Sequence, residues 1–479
     1  MLLETVIGLE IHAELKTNTK IFCSCSTEFG SKPNENTCPI CLGMPGILPG
    51  LNEEVFNLAI KAGLALNCKI NKYNKMDRKH YFYPDLTKNY QTSQYDLPMC
   101  VNGKLEFTYE GKKVSVRINR IHIEEDSGKL IHIENEPISL IDYNRAGVPL
   151  IEIVTEADLR SPGEAAAFMR ELKGILEYGE ISDCRMDQGS IRCDVNISVR
   201  PYGQREYGTK VEIKNINSFR EVQKALEAEE KRQRELYQSG QEHEIKQETR
   251  RWDALKGKTI LMRSKEEAHD YRYFPEPDLP PIIIQEDKID KLKKSLPEMP
   301  MQKRLRFIKD YGMSEKDASI LVGNKHLAKF YEDLINEGAN FKIALNYILG
   351  DLLRLLNINN LEVKDIKISP RNLVELFTII EKGQISNKIG KDVFKEIFET
   401  NKTVKEIIEE KGLIQINSSY EIEKIVDEVL NNNPKSIEDY KLGKTKSIGF
   451  LMGQVMKISK GKVNPQLAKN IIEEKLKNI

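Results

Sequence analysis

The chain lacks most of the features that would place a protein quickly. It has one tryptophan in 479 residues and no net charge, with 73 Lys and Arg against 73 Asp and Glu. A balanced total excludes a uniformly basic nucleic-acid coat and an acidic solvating tail, but it leaves room for local excess. No run approaches the roughly 18 apolar residues of a membrane span. The opening MLLETVIGLEIHAEL has no basic region and carries Glu4 and Glu10 early, so a secretory signal is not expected. Common nucleotide signatures are missing too. GKT occurs at 257–259 and 443–445, but a P-loop needs a further glycine five residues before its second one, and Trp252 and Glu438 stand there. There is no GxGxxG after a strand, no GxSxG elbow, no Ser-rich amidase signature and no N-terminal cysteine nucleophile.

The length suggests about three domains. The first 290 residues or so read as strands and loops with two clear helices. Both helices open on Ser-x-x-Glu, at Ser161 and Ser218, the pattern in which a serine caps the first turn and a glutamate reaches back. The second stops at Gly240. Prolines cluster in PEPDLPP and LPEMP between 275 and 300, where neither a helix nor a central strand can continue, so a domain junction is expected there. Helical patterns follow, and NNNPKS at 431–436 interrupts the last of them. The expected architecture is α+β: an antiparallel-sheet cradle over 1–292, an all-α domain over 293–405 and a small helical tail over 406–479.

Alternation is the informative signal. From Ile7 to Lys16, aliphatic residues alternate with Gly8, Glu10, His12, Glu14 and Lys16, so a period of two puts Glu10, His12 and Glu14 on one face. Ile191 to Arg200 repeats the pattern with Arg192, Asp194 and Asn196 outward. After PYGQREYG, Thr209 to Asn215 sets Lys210, Glu212 and Lys214 outward, which reads as the second arm of a hairpin. Around Arg117 to Asp126 the alternation slips at Asn119-Arg120, which predicts a bulge. Glu152 lies in the apolar run PLIEIV, where a lone carboxylate is expensive unless paired or bound to a cation. One reading makes these the solvated faces of half-buried strands. The other notes that Glu10, His12, Glu125 and Glu152 offer the oxygen-rich set with one imidazole that suits a divalent cation, with Lys and Arg nearby for phosphate.

Eight cysteines in a chain expected in a reducing compartment point to metal or catalysis before disulfides. Cys23-x-Cys25, twelve residues, and Cys38-Pro-Ile-Cys41 form two close pairs that can close a tetrahedron around Zn²⁺. A redox pair or four unrelated thiols fit the same spacing. Cys68, Cys100, Cys184 and Cys193 read as buried thiols.

LETVIGLEIHAEL, CPICLGMPGILPGLN, RKHYFYPDLTKNYQTSQYD, DYNRAGVPLIEIVTE, MDQGSIRCDVNISVRP, GTKVEIKNINSFR and YRYFPEPDLPP, in this order, resemble the B subunit of bacterial aspartyl/glutamyl-tRNA(Asn/Gln) amidotransferases. The resemblance implies a cytoplasmic heterotrimeric ligase. A glutaminase A subunit would release ammonia, a small C subunit would wrap the other two, and this chain would use ATP and Mg²⁺ to activate the side chain of Glu or Asp misacylated on tRNA(Gln) or tRNA(Asn). The family's metal site falls on His12, Glu125 and Glu152 with Glu10 adjacent, and its zinc site on Cys23, Cys25, Cys38 and Cys41. Alternation places Glu125 opposite His122 and Glu124, so its membership requires a twist or the end of the strand. Lys79, Tyr81, Lys88, Asp194, Lys210, Glu212 and Lys214 are the candidates for nucleotide and aminoacyl-end contacts. Residues 441–479 hold nine Lys against two Glu, a local excess suited to tRNA phosphates. A non-catalytic tRNA-binding module and a metal-dependent phosphohydrolase are the alternatives.

Overall fold

The computed structural model describes all residues except 1, 134–135, 265–269, 414–418, 442–445, 460–462 and 479, and only the backbone of Lys446 and Asn478. The GKT at 443–445 therefore lies outside the described residues. The chain divides into two compact units, 1–305 and 306–479.

The first unit is built on nine strands: β1 Leu3–Glu14, β2 Lys69–Ile70, β3 Cys100–Tyr109, β4 Lys112–Glu125, β5 Pro149–Thr155, β6 Ile191–Pro201, β7 Val211–Lys214, β8 Glu248–Asp253 and β9 Lys258–Ser264. Their order across the sheet is β9-β8-β7-β6-β1-β5-β4-β3-β2. Neighbours run antiparallel except β7 and β8. The expected hairpin is β6–β7, with Val195 opposite Ile213 and Asn196 opposite Glu212. The bulge is present as well: Val154 pairs with Arg120 and Thr155 with Ile118, so Asn119 is the extra residue.

One face of this sheet is apolar and covered by helices. Ile7, Leu9, Ile11 and Ala13 of β1 are buried with Ile151 and Ile153 of β5 and Val195 and Ile197 of β6. Each large aliphatic removed from water this way contributes about 1.5–3 kcal/mol. The covering helices are α1 Glu53–Ala65, α2 Pro162–Tyr178 and α3 Phe219–Gln238. Ser161 accepts from the Glu164 amide at 3.2 Å and Ser218 from the Glu221 amide at 3.2 Å. The reciprocal arms land one residue earlier than a standard capping box, on the amides of Arg160 and Asn217. Helix α1 was not expected. Its cap is Asn52, which accepts from the Glu54 amide at 3.0 Å, and its long buried face hides the amphipathic rhythm that marks α3.

The second unit is helical. Its last part has a core of its own: Ile422, Val426 and Val429 from helix Ser419–Asn432 meet Leu451 and Val455 from Lys446–Ile458 and Ile472 and Leu476 from Pro465–Asn478. Pro434 ends the interruption expected at 431–436 by opening the helix Pro434–Lys441, the position where its missing N–H costs nothing.

Gly208, between β6 and β7, has no room for a side chain, because a Cβ there would lie 2.1 Å from the carbonyl oxygen of Val199. Backbone cannot move aside as a side-chain tip can. Gly208→Ala should therefore cost about 1–3 kcal/mol. The single tryptophan, Trp252, is buried in β8 and reports this unit's urea transition by fluorescence. An unchanged midpoint would show that the β6–β7 connection yields freely.

Candidate active site

The register of four adjacent strands sets one row of side chains on the polar face. His12 of β1 lies opposite Arg192 of β6 on one side and Glu152 of β5 on the other, and Glu152 in turn lies opposite His122 of β4. Parallel rows flank it: Asp194 opposite Glu10, and Glu124 opposite Leu150. His12 Nε2 is 3.3 Å from both Glu124 Oε1 and Glu152 Oε2, and 4.0 Å from Glu10 Oε1. His122 Nε2 is 3.3 Å from Glu152 Oε2 and 3.7 Å from Glu124 Oε2. Glu124 and Glu152 are 3% and 7% exposed, so these groups exchange field with one another more than with water.

Burial alone would discharge both imidazoles. It is the largest single influence on each and pushes it down, but the surrounding carboxylates together outweigh it and hold His12 and His122 up at about 9. Glu152 is the converse. Burial pushes it up, yet the charge of His122 and the hydrogen bonds from both imidazoles hold it far below the usual range. Glu10 is raised, by burial first and then by Glu152.

Two triads, Glu10–His12–Glu152 and His122–Glu124–Glu152, each bring their ligand atoms within 4.8 Å of one another. Carboxylate oxygens with imidazole nitrogen suit Mg²⁺ or Mn²⁺, so the donor set fits the expected cation. The set differs from the expectation at one place. Glu125 is not in the cluster: its carboxylate pairs with Lys88 Nζ at 2.5 Å and accepts from the Thr92 amide at 2.8 Å. Alternation along β4 gives the reason, since His122 and Glu124 share a face and Glu125 takes the other. His122 and Glu124 are the residues that sequence reasoning passed over, and the signal was their alternation with the core residues Ile121 and Ile123.

The remaining candidates fall in four places. Lys88 and Glu125 line a pocket with Lys20, Cys23, Cys41 and Tyr90. Lys214 bonds Asp194 at 2.5 Å and lies 3.5 Å from Glu212. Lys210 lines a cavity of about 250 Å³ with Gly8, Glu10, Asn196 and Tyr207. Lys79 Nζ stands 4.9 Å over the Tyr271 ring and 5.9 Å from that of Tyr81. Cys23, Cys25, Cys38 and Cys41 converge, with all four sulfurs within 4.8 Å of one another. The hydrogen bond from Cys23 is the chief cause that draws the Cys41 thiol down to about 5. Four sulfurs at this spacing fit a tetrahedral soft cation. The other four cysteines are buried and free.

A family model described as GatB/GatE catalytic domain matches residues 5–290, and one described as GatB domain matches residues 329–476. The chain belongs to the GatB family. It is 67% identical to the B subunit of the aspartyl/glutamyl-tRNA(Asn/Gln) amidotransferase of Clostridium beijerinckii over 99% of both chains. It is 58% identical to the B subunit numbered 2 of the same amidotransferase in Clostridium acetobutylicum, and 54% identical to the B subunit of Caldicellulosiruptor bescii, each over 99% of both chains. Among the described residues no helix is long and apolar enough to cross a membrane.

Glu14 lies one row beyond His12. Burial, its largest influence, raises its carboxyl to about 7 from an ordinary 4.5, with Asp126 adding and Arg192 and Arg145 opposing. The folded chain thus keeps a proton that the unfolded chain gives up, and stability falls as pH climbs from 4.5 to about 7. Glu14→Gln should remove that loss. Its urea midpoint should exceed that of the native chain at pH 8, and the gap should close at pH 4. A constant difference across the range would show that Glu14 titrates normally.

Proposed function

We propose that this chain is the transamidating component of a tRNA-dependent amidotransferase, a ligase of protein synthesis working in the cytoplasm. The γ-phosphoryl group of ATP passes to the side-chain carboxylate of Glu on tRNA(Gln), Asp on tRNA(Asn), or both, and ADP leaves. Ammonia then adds at the acyl carbon, phosphate departs, a proton is lost, and the amide remains. The observation that carries this reading is similarity to the B subunits of such amidotransferases over 99% of the chain. The ammonia would come from a glutaminase A subunit, with a small C subunit completing the trimer, which agrees with the lack of any amidase signature in this sequence.

Glu10, His12, Glu124 and Glu152 would hold Mg²⁺, which when bound screens the phosphate and carboxylate charges. Arg120, with Nη2 3.9 Å from Glu152, and Arg192, at the other end of the row, are placed to meet phosphate oxygens. Lys210, Lys214, Asp194 and Glu212 border the row on the β6–β7 side, and Lys79 with Tyr81 offers a cationic aromatic surface for a base. Glu125 would act with Lys88 from the neighbouring pocket. Cys23, Cys25, Cys38 and Cys41 would hold one structural Zn²⁺, since four thiolates leave no open position.

Glu124→Gln and Glu152→Gln in the assembled trimer should each reduce transamidation by about 10²-fold or more, with glutamine hydrolysis largely intact. Both should lose bound Mn²⁺, used as a probe for Mg²⁺, whereas Glu125→Gln should keep it. If Glu125→Gln alone loses the ion, the cation site includes Glu125 and the Glu124 assignment falls. Transamidation at native rates in Glu124→Gln and Glu152→Gln would overturn the function of the cluster.

The basic tail would contact the tRNA body. Leu451, Val455, Val463, Ala468, Ile472 and Leu476 of the tail face the small core while Lys441, Lys457, Lys469 and Lys477 are exposed. Lys444, Lys460 and Lys462 lie outside the described residues. Removing the segment after 440 would strip six of the ten described buried residues of that core, so charge reversal is the cleaner test. Lys457→Glu, Lys469→Glu and Lys477→Glu together should raise KM for aminoacyl-tRNA and flatten its salt dependence, with ATP binding unchanged. An unaltered salt slope would place the tRNA contact elsewhere.

A further inference from the structure

Lys20 is fully buried, at 0% exposure, and has no role in the row of carboxylates. Its ammonium donates to the carbonyl oxygen of Asn36 at 2.8 Å, to that of Tyr143 at 3.2 Å and to Cys41 Sγ at 3.6 Å. Two of these partners are neutral. A buried cation needs an anion beside it, and the sulfur is the partner that can supply one. The need is mutual, because four thiolates around one Zn²⁺ carry a net charge of about −2 that burial also penalises.

The same ammonium joins three segments. The loop between the cysteine pairs is stitched to residues 142–144: the Asn34 amide donates to Asp142 at 3.0 Å, the Tyr143 amide to Asn34 at 2.8 Å and the Asn36 amide to Asn144 at 2.8 Å. From there the chain runs to Arg145, 3.3 Å from Asp126, and to Gly147, whose amide donates to the Asp126 carbonyl at 2.9 Å. Asp126 directly follows Glu124 and Glu125. Lys20 thus stands where the sulfur cluster, its loop and the approach to the carboxylate strand meet.

We propose that Lys20 is a positioning residue of the cysteine centre: its ammonium neutralises the thiolate cage through Cys41 and, through Tyr143, lets bound zinc fix residues 142–147 beside Asp126. This rests on the zinc reading above. The test uses the full-length chain with Lys20→Met, which keeps the methylene packing and removes the charge. The native chain should hold about one zinc, and the variant should surrender it to a chromogenic chelator about 10–100-fold faster. With Co²⁺ as the probe, the thiolate-to-metal charge-transfer band should move to longer wavelength in the variant, because the N–H···S bond that withdraws electron density from sulfur is gone. In the native chain, chelation of zinc should speed amide exchange over 142–147. A native chain without zinc sinks the zinc reading itself. Native zinc content with an unshifted cobalt band and unchanged release in Lys20→Met overturns the role of Lys20 alone. Should the variant fail to fold, exchange in the native chain decides: equal protection of 142–147 with and without zinc overturns the proposal, and loss of protection supports it.

Discussion

Register across β6, β1, β5 and β4 is the constraint on which the candidate site depends. Each strand contributes one or two polar residues, and they meet only because Arg192, His12, Glu152 and His122 are opposite one another in successive pairs. Neighbouring strands lie about 4.8 Å apart, so the row spans about 14 Å with no help from loops. A slip of one residue in any strand would drive its polar set into the helices and its aliphatics to the open face. The apolar face forbids that slip: Ile7, Leu9, Ile11 and Ala13 fill the core against α1, α2 and α3. The hydrophobic effect, which carries no direction of its own, thereby fixes which polar side chains stand opposite one another.

That pairing is what makes the electrostatics tolerable. Taking several ionisable groups out of water costs several kcal/mol each, and a cluster of buried carboxylates would be untenable without compensating positive charge. The imidazoles of His12 and His122 supply it, since the surrounding carboxylates outweigh burial and hold both up at about 9.

Much of this was legible in the sequence. The α+β architecture, the β6–β7 hairpin, the bulge at Asn119 and the serine caps of α2 and α3 all follow from short-range patterns, which depend on neighbours a few residues away. Helix α1 was not legible, because it is capped by Asn52 and apolar around most of its surface. Lys20 was invisible for another reason. A single lysine three positions before Cys23 carries no pattern, and its meaning comes from Tyr143, which lies 123 residues along the chain. Lys88 with Glu125 is a similar case, joined across 37 residues by a fold that local spacing does not encode.

The adjacent pair Glu124-Glu125 shows how one strand can serve two chemistries. Successive residues of β4 point to opposite sides, so Glu124 reaches His12 and His122 while Glu125 reaches Lys88 in a pocket also lined by Cys23 and Cys41. The first environment is rich in oxygen with imidazole nitrogen and suits a hard cation. The second borders four sulfurs that suit a soft one. Mixing these donors in one cavity would favour whichever metal binds thiolate best, since such sites generally hold Zn²⁺ more tightly than Mn²⁺ or Mg²⁺ whatever the protein requires. Consecutive carboxylates on opposite sides of one strand keep the two environments apart, and Asp126, the next residue along, is bound by both Arg145 and Arg192 at one carboxylate oxygen.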